Sequence, residues 1–200
     1  MRLYHSIICV LLLTLFALPA FAEQPPAAPE NEDVEFYVDT ERPRPYNISI
    51  APGYGLLYIY ELDEVRQGFG ARALLGWEVV PRWQLEVLVD VGVFGGDKDK
   101  EEGLYGQVGL LGGFRYTFLD DWVRPYLALH LGWMRTELDR EIHTIWVEHS
   151  LVAQFATGVV FHLAKHHYLG LEASLAPAFF GDNMNYSMSF HTLLNYEFKF

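Results

Sequence analysis

A serine beside a histidine is the arrangement in this sequence that comes closest to a nucleophile and its base. Ser150 could attack a carbonyl carbon if His149 took its proton. Glu148 or Glu141 could orient the imidazole ring. Adjacent residues of a β-strand, however, point to opposite faces. The pair could meet only if a strand began after it, and we therefore predict that the chain has no catalytic residue.

Charged and amide side chains alternate with large apolar ones in three segments, and their chemistry is that of buried ion pairs or of a pore lining. In a hairpin that turns near Val80, Arg72 would face Leu88. Arg72 would then lie diagonal to Glu86 and Asp90, which could pair with it, as a buried charge requires. We predict a structural interior network consisting of Arg72, Gln84, Glu86, Asp90, Gln107 and Arg115.

Neither the histidines nor the acidic segment 97–102 has the spacing of a metal site. His130, His162 and His191 fall in separate segments and are expected to donate hydrogen bonds in the interior. The acidic segment differs from a calcium loop because its sixth position is Glu102, where a glycine is needed. We predict no metal and no cofactor.

Strands must position these side chains, because apolar residues recur with a period of two. In the segment 186–200 the even positions are mostly aromatic or aliphatic, and the odd positions are mostly polar. The same alternation recurs, less cleanly in the first two, in the segments 46–58, 67–78, 83–93, 107–118, 126–133, 151–163 and 169–179. The sequence therefore predicts eight antiparallel strands.

The two faces of these strands indicate a barrel that crosses a membrane. The outward face is large and apolar, while the inward face is small, glycine-rich and polar. A soluble barrel of the lipocalin kind would show the reverse. We predict an all-β fold, an eight-stranded antiparallel transmembrane up-and-down β-barrel.

Short connections alternate with longer ones along the predicted strands. The short ones are residues 79–82, 119–123 and 165–167, and the longer ones are residues 59–66, 95–103 and 137–149. Outer-membrane barrels keep short turns in the periplasm, which would place both termini there. His166 and His167, in the third short turn, are expected to be solvated.

The first 45 residues precede the predicted barrel. Residues 1–22 have the layout of a signal peptide, with Arg2, an apolar stretch and a small-residue cleavage site. Residues 23–45 hold five prolines and seven acidic residues, which predicts a disordered periplasmic tail. Cleavage would leave 13 basic residues against 26 acidic ones, a net charge of −13 that argues against nucleic-acid binding.

The last residues carry a family resemblance. The segment Tyr196-Glu-Phe-Lys-Phe200 resembles the closing strand of bacterial outer-membrane proteins. The resemblance implies that Tyr196, Phe198 and Phe200 are recognised by the barrel-assembly machinery. Together with the leader and the eight strands, it makes residues 46–200 similar to the small OmpA/OmpX-type barrel superfamily, without its peptidoglycan-binding domain.

The predicted outer connections are where contact with other molecules is expected. Arg135 and Arg140 near the rim could bind lipopolysaccharide phosphates. The third long connection carries exposed apolar residues that could mark a binding patch, namely Ile142, Ile145, Trp146 and Val147. The expected partners are therefore outer-membrane lipid, lipopolysaccharide, the assembly machinery and a loop ligand.

Three functions remain open at this point. The leading hypothesis is a non-enzymatic outer-membrane protein that supports envelope integrity or surface interaction, and that is monomeric because a closed barrel has no free edge. Some barrels of this size that resemble this one modify lipid A or phospholipid, so an enzyme is one alternative. A narrow gated channel through the polar interior is the other.

Overall fold

A computed structural model describes residues 45–60, 64–95, 103–119, 121–139, 146–181 and 187–200 of the protein. The predicted leader and nearly all of the predicted tail lie outside these residues. The strands are β1 (Tyr46–Ile59), β2 (Glu64–Val80), β3 (Trp83–Phe94), β4 (Leu104–Thr117), β5 (Val123–Asp139), β6 (Trp146–Ala164), β7 (His167–Gly181) and β8 (Ser187–Lys199). Among the described residues, no helix is long and apolar enough to cross a membrane.

Each strand pairs antiparallel with the next, and β1 pairs with β8 to close the sheet. Beyond the end of β8, the Phe200 amide donates a hydrogen bond of 2.9 Å to the Tyr46 carbonyl oxygen. The prediction of an eight-stranded antiparallel up-and-down barrel is confirmed. Closure leaves the sheet formed by the described strands without a free edge.

Side chains alternate between the two faces of the barrel. In β3, for example, Val87 is 54% exposed while Leu88 is 1% exposed. The outward face carries most of the large apolar side chains, and the inward face is filled with polar groups and smaller apolar clusters. This distribution is that of a barrel surrounded by hydrocarbon.

Two of the longer connections are shorter than predicted. Residues 60–63 separate β1 from β2, and residues 140–145 separate β5 from β6. The β5–β6 ladder continues through the pairs Arg135 with His149 and Glu137 with Val147. The predicted loop boundaries were wrong because the alternation of apolar side chains ends before the strands do. Hydrogen bonds between strands join backbone groups, so pairing continues through polar residues.

The predicted register of the β2–β3 hairpin was also wrong, by two residues. Arg72 lies directly opposite Asp90, whereas Leu88 lies opposite Leu74. The register shifts between Glu78 and Val80, close to a turn at Pro81 and Arg82. A shift of two residues changes the partners but preserves the faces, because side chains alternate with a period of two.

Interior glycines make room for large side chains on neighbouring strands. Tyr126 on β5 is fully buried, and its ring lies beside Gly158 on β6. A Cβ atom at Gly158 would lie 2.6 Å from the Tyr126 hydroxyl oxygen and 2.6 Å from the backbone oxygen of Leu171. The paired strands of a closed barrel cannot separate to relieve such a clash. The absence of a side chain at Gly158 therefore allows the Tyr126 ring to lie inside the barrel.

We expect the Gly158→Ala substitution to lower the free energy of unfolding by about 1–3 kcal/mol, the usual penalty for overpacking a core. The matched control is Gly106→Ala on β4, where an added Cβ meets no atom within 4 Å. Urea titration of tryptophan fluorescence in lipid vesicles measures both variants. Equal unfolding midpoints for the two would contradict the packing argument.

Candidate functional site

The first interior cluster forms around Arg72, which is almost completely buried. Its Nη2 atom donates to Asp90 Oδ2 at 2.7 Å and to Ser174 Oγ at 3.1 Å. Its Nη1 atom donates to Glu172 across the barrel. Gln154 Nε2 also donates to Asp90 Oδ2, at 3.1 Å. One guanidinium therefore links β2, β3 and β7, as its planar fork of donors allows.

The second interior cluster forms around Arg115 on β4. Its Nε atom lies 2.7 Å from Glu86 Oε1, and its Nη1 atom donates to Glu197 Oε2 at 2.9 Å. His130 Nε2 lies 2.8 Å from the other oxygen of Glu86. The guanidinium also stands 4.3 Å from the centre of the Tyr126 ring, a cation–π contact.

Tyr126 joins the two clusters. Its hydroxyl donates to Glu172 Oε2 at 2.6 Å, while its ring lies against Arg115. We call the joined set the ionic core, and it consists of Arg72, Glu86, Asp90, Arg115, Tyr126, His130, Glu172 and Glu197. With Gln154 and Ser174 it involves seven strands, β2 to β8, and these contacts fix the interior positions of the strands relative to one another.

All six predicted interior residues are buried, but they do not form one group. Gln84 donates to Asn47, and Gln107 donates to Thr136 at 3.2 Å, both away from the ionic core. Glu86 pairs with Arg115 and not with Arg72. The observed register, shifted by two residues from the predicted one, places Glu86 farther from Arg72 and opposite Gly76. The predicted network lacks Glu172, Glu197 and Tyr126, because alternation gives the face of a residue but not its partner across the barrel.

Buried carboxylates outnumber buried arginines by five to three in the described part of the chain. Among the described residues, the buried carboxylates are Glu86, Asp90, Glu148, Glu172 and Glu197, the buried arginines are Arg66, Arg72 and Arg115, and the buried histidines are His130 and His191. His191 Nδ1 lies 3.7 Å from Asp90 Oδ2, and its ring stacks on Phe94. Each histidine thus stands beside a carboxylate.

The candidate base and nucleophile do not meet. Since β6 begins at Trp146, His149 and Ser150 point to opposite faces of this strand. Ser150 is buried inside, whereas the His149 ring stacks outside on Trp133, with centroids 4.8 Å apart. In the described ranges, no group of three or more His, Asp, Glu or Cys side chains could hold a metal ion.

The structure describes some of the predicted rim residues and not others. Arg135 is about half-exposed on the outward face of β5 and forms an ion pair with Glu137. Val147 lies within β6, and of the Trp146 side chain nothing is described. The residues of this prediction that fall outside the described ones are Arg140, Ile142 and Ile145.

The C-terminal aromatic residues are held by the β6–β7 turn and by β1. His167 Nδ1 and the Tyr196 hydroxyl share a hydrogen bond of 2.6 Å, and the His166 ring stacks on Phe198. His166 Nδ1 also donates to the Lys199 carbonyl oxygen at 2.9 Å. The expectation that these two histidines are solvated holds only in part: both are partly exposed, and both also bind the returning strand β8.

Phe200, the third residue of the predicted assembly signal, stacks on Tyr46 with ring centroids 6.0 Å apart. Its backbone pairs with the same tyrosine. The aromatic end of the chain therefore lies at the seam where the barrel closes.

Comparison with known proteins identifies solved structures that have the same fold. No family model matches the chain, and no curated protein matches it. Among solved structures, it is similar to Neisserial surface protein A (TM-score 0.67, 14% identity, 78% of this chain and 97% of that one). It is also similar to Ail, the attachment invasion locus protein of Yersinia pestis (TM-score 0.52, 11% identity, 76% and 97%).

These matches confirm the resemblance to small eight-stranded outer-membrane barrels. A further match is the outer membrane enzyme PagL, with a TM-score of 0.44, 12% identity, and coverage of 76% of this chain and 98% of that one. That similarity is too low to argue for or against catalysis in this chain.

We expect Arg72→Met to lower the free energy of unfolding by roughly 3–5 kcal/mol, because it leaves Asp90 and Glu172 buried without their cation. Adding Asp90→Asn and Glu172→Gln to this variant should recover most of the loss, since the uncompensated charge is then gone. Urea unfolding in lipid vesicles measures each variant.

The matched control is the exposed arginine on the outward face. Arg135→Gln breaks an ion pair that is about half-exposed, and should cost less than about 1 kcal/mol. Equal losses for Arg72→Met and Arg135→Gln would show that the interior ion pairs do not hold the barrel together.

Proposed function

We propose that the protein is a non-enzymatic, non-conducting barrel of the outer membrane that supports envelope integrity or binds at the cell surface through its loops. The observation that carries the proposal is the ionic core, in which charged side chains meet across the interior and contact one another. Such an interior is a packed plug, since eight strands enclose space only for side chains.

The outward face supports the membrane location. Its large apolar side chains would be unfavourable in water, at about 25 cal/mol for each Å² of apolar surface left wet. Short turns at 81–82 and 165–166 lie at the end of the barrel that also carries both ends of the described chain. By the usual arrangement of such barrels, that end faces the periplasm and the longer connections face outward.

The interior argues against the channel alternative. The Phe94 ring is completely buried and stacks on His191, with centroids 6.0 Å apart. Cβ atoms at Gly55 or Gly92 would meet this stacked pair, at 2.6 Å from the His191 ring and 2.7 Å from the Phe94 ring respectively. An aromatic layer above the ionic core thus adds a second barrier to ions.

The enzyme alternative has less support. Its best pair, His149 and Ser150, is separated by the wall of the barrel. Catalysis by an activated serine needs the base within hydrogen-bond reach of the hydroxyl.

Conductance tests the packed interior. Purified protein refolded into a planar lipid bilayer should give no current steps, while a porin added under the same conditions does. Recurrent steps of one size from the pure protein would overturn the non-conducting part of the proposal. Mass spectrometry of lipid A and phospholipids from cells with and without the protein should give identical spectra, and an altered acyl chain would overturn the non-enzymatic part.

A deletion strain distinguishes the two proposed roles. Loss of the protein should raise sensitivity to detergent if it supports envelope integrity, and the full chain should restore resistance. A chain with residues 96–102 and 140–145 replaced by short turns tests the loops. Restoration by this variant favours a role of the barrel itself, and its failure, with normal amounts in the membrane, favours a role of the loops. Unchanged sensitivity and unchanged surface binding after deletion would contradict both.

A further inference from the structure

A groove of about 460 Å³ lies on the outward face of β3, β4 and β5. It exists because Gly106 on β4 has no side chain where its neighbours do. In the same row, Val93 on β3 and Glu137 on β5 flank this glycine. A Cβ atom at Gly106 would meet nothing within 4 Å, so the position is open on the outward face.

The walls of the groove are apolar and well placed to hold a hydrocarbon chain. Val91, Val93 and Val108 contribute aliphatic surface, and Trp133 contributes its ring. The Trp133 ring is fixed from the far side by the stacked imidazole of His149, with an interplanar angle of 11°. A volume in the range of roughly 300–1,000 Å³ is typical of sites that bind small molecules.

One end of the groove is charged. Arg135 and Glu137 both line it, and their side chains pair while remaining about half-exposed. Glu137 lies two residues before the end of β5, and Gly106 lies two residues after the start of β4. The ion pair therefore stands near the end of the strands, where the hydrocarbon of a membrane gives way to lipid headgroups.

We propose that this groove binds one acyl chain of a phosphorylated glycolipid of the lipid A class, with a phosphate group on the Arg135 guanidinium. The groove is apolar along its length and carries the Arg135–Glu137 ion pair at its headgroup end. The half-exposed guanidinium of that pair is the group that can meet the anionic head of a lipid. A guanidinium has five donors, so Glu137 can orient Arg135 while other N–H groups bind phosphate. The assignment rests on the proposed outer-membrane location and orientation.

The experiment measures lipid binding by the purified full chain in detergent micelles, using native mass spectrometry. The probes are lipid A with its two phosphates, the same lipid after phosphate removal, and phosphatidylglycerol. We expect binding of bisphosphorylated lipid A to exceed that of the dephosphorylated lipid by about tenfold or more, as expected when a charge-assisted hydrogen bond is lost. Binding of phosphatidylglycerol as strong as that of lipid A would overturn the assignment to a glycolipid. Equal binding of lipid A with and without phosphate would overturn the assignment of Arg135.

Variants locate the site. Gly106→Leu should fill the groove and reduce lipid A binding by about tenfold, and Arg135→Gln should reduce it by a similar factor. The matched control is Gly112→Leu, on the outward face of the same strand, where an added Cβ meets only a backbone oxygen at 3.8 Å.

Equal loss in the Gly106→Leu and Gly112→Leu proteins would overturn the site, provided that both show the heat-dependent gel shift of a folded barrel. If Gly106→Leu does not fold, a photoreactive acyl chain on lipid A replaces it as the test. Cross-links to wild-type residues 91–93, 104–110 or 133–137 would support the groove, and cross-links elsewhere would overturn it. The lipid assignment would also be overturned if the wild-type protein formed a dimer in lipid-free micelles and Gly106→Leu dissociated it. The occupant of the groove would then be a second copy of the chain.

The outcome is separable from that of the proposed function. Lipid binding is measured on purified protein, whereas conductance and detergent sensitivity report on the interior and on the cell. A conducting or catalytic protein could still bind lipid A in this groove. Conversely, a Gly106→Leu protein that restores detergent resistance but binds no lipid A would leave the scaffold role standing.

Discussion

The pairing of buried guanidinium groups with carboxylates across the interior is the interaction on which the rest of the barrel depends. Arg72 and Arg115 each meet two carboxylates, and Tyr126 joins the two groups. An unpaired charge in this space would cost several kcal/mol, so the strands must be arranged to bring the partners together. In a sheet held by backbone bonds alone, a slip of two residues would preserve every face. The ionic core distinguishes the native register from such slips.

Small residues are the steric counterpart of this pairing. Tyr126 can lie between the two arginines only because Gly158 leaves the space for its ring, and His130 lies beside Gly113 in the same way. The outer half follows the same rule, with Gly55 and Gly92 beside the stacked rings of His191 and Phe94. The polar side chains that fill the interior and the glycines of the barrel wall therefore depend on each other. A large side chain fits inside where the neighbouring strand carries a glycine.

The sequence predicted the strands and their faces well, because a period of two is a local property. It predicted Asp90 as a partner of Arg72, although in a diagonal position and not directly opposite. It did not predict Glu172, which lies 100 residues away in the chain. The ends of β5 and β6 were missed for a related reason. Apolar alternation reports the surrounding hydrocarbon, whereas backbone pairing continues past it through Arg135 and Glu137.

The interior and outward arginines differ in how much stability would be lost if they bound a ligand. Each arginine of the ionic core has its donors directed at buried carboxylates, and rearranging it to bind a ligand would leave those carboxylates uncompensated. Arg135 carries no such penalty, because water or a headgroup can replace Glu137 around its half-exposed side chain. The interior is therefore committed to holding the fold, and the outward groove and the loops are the surfaces on which recognition can change at low cost.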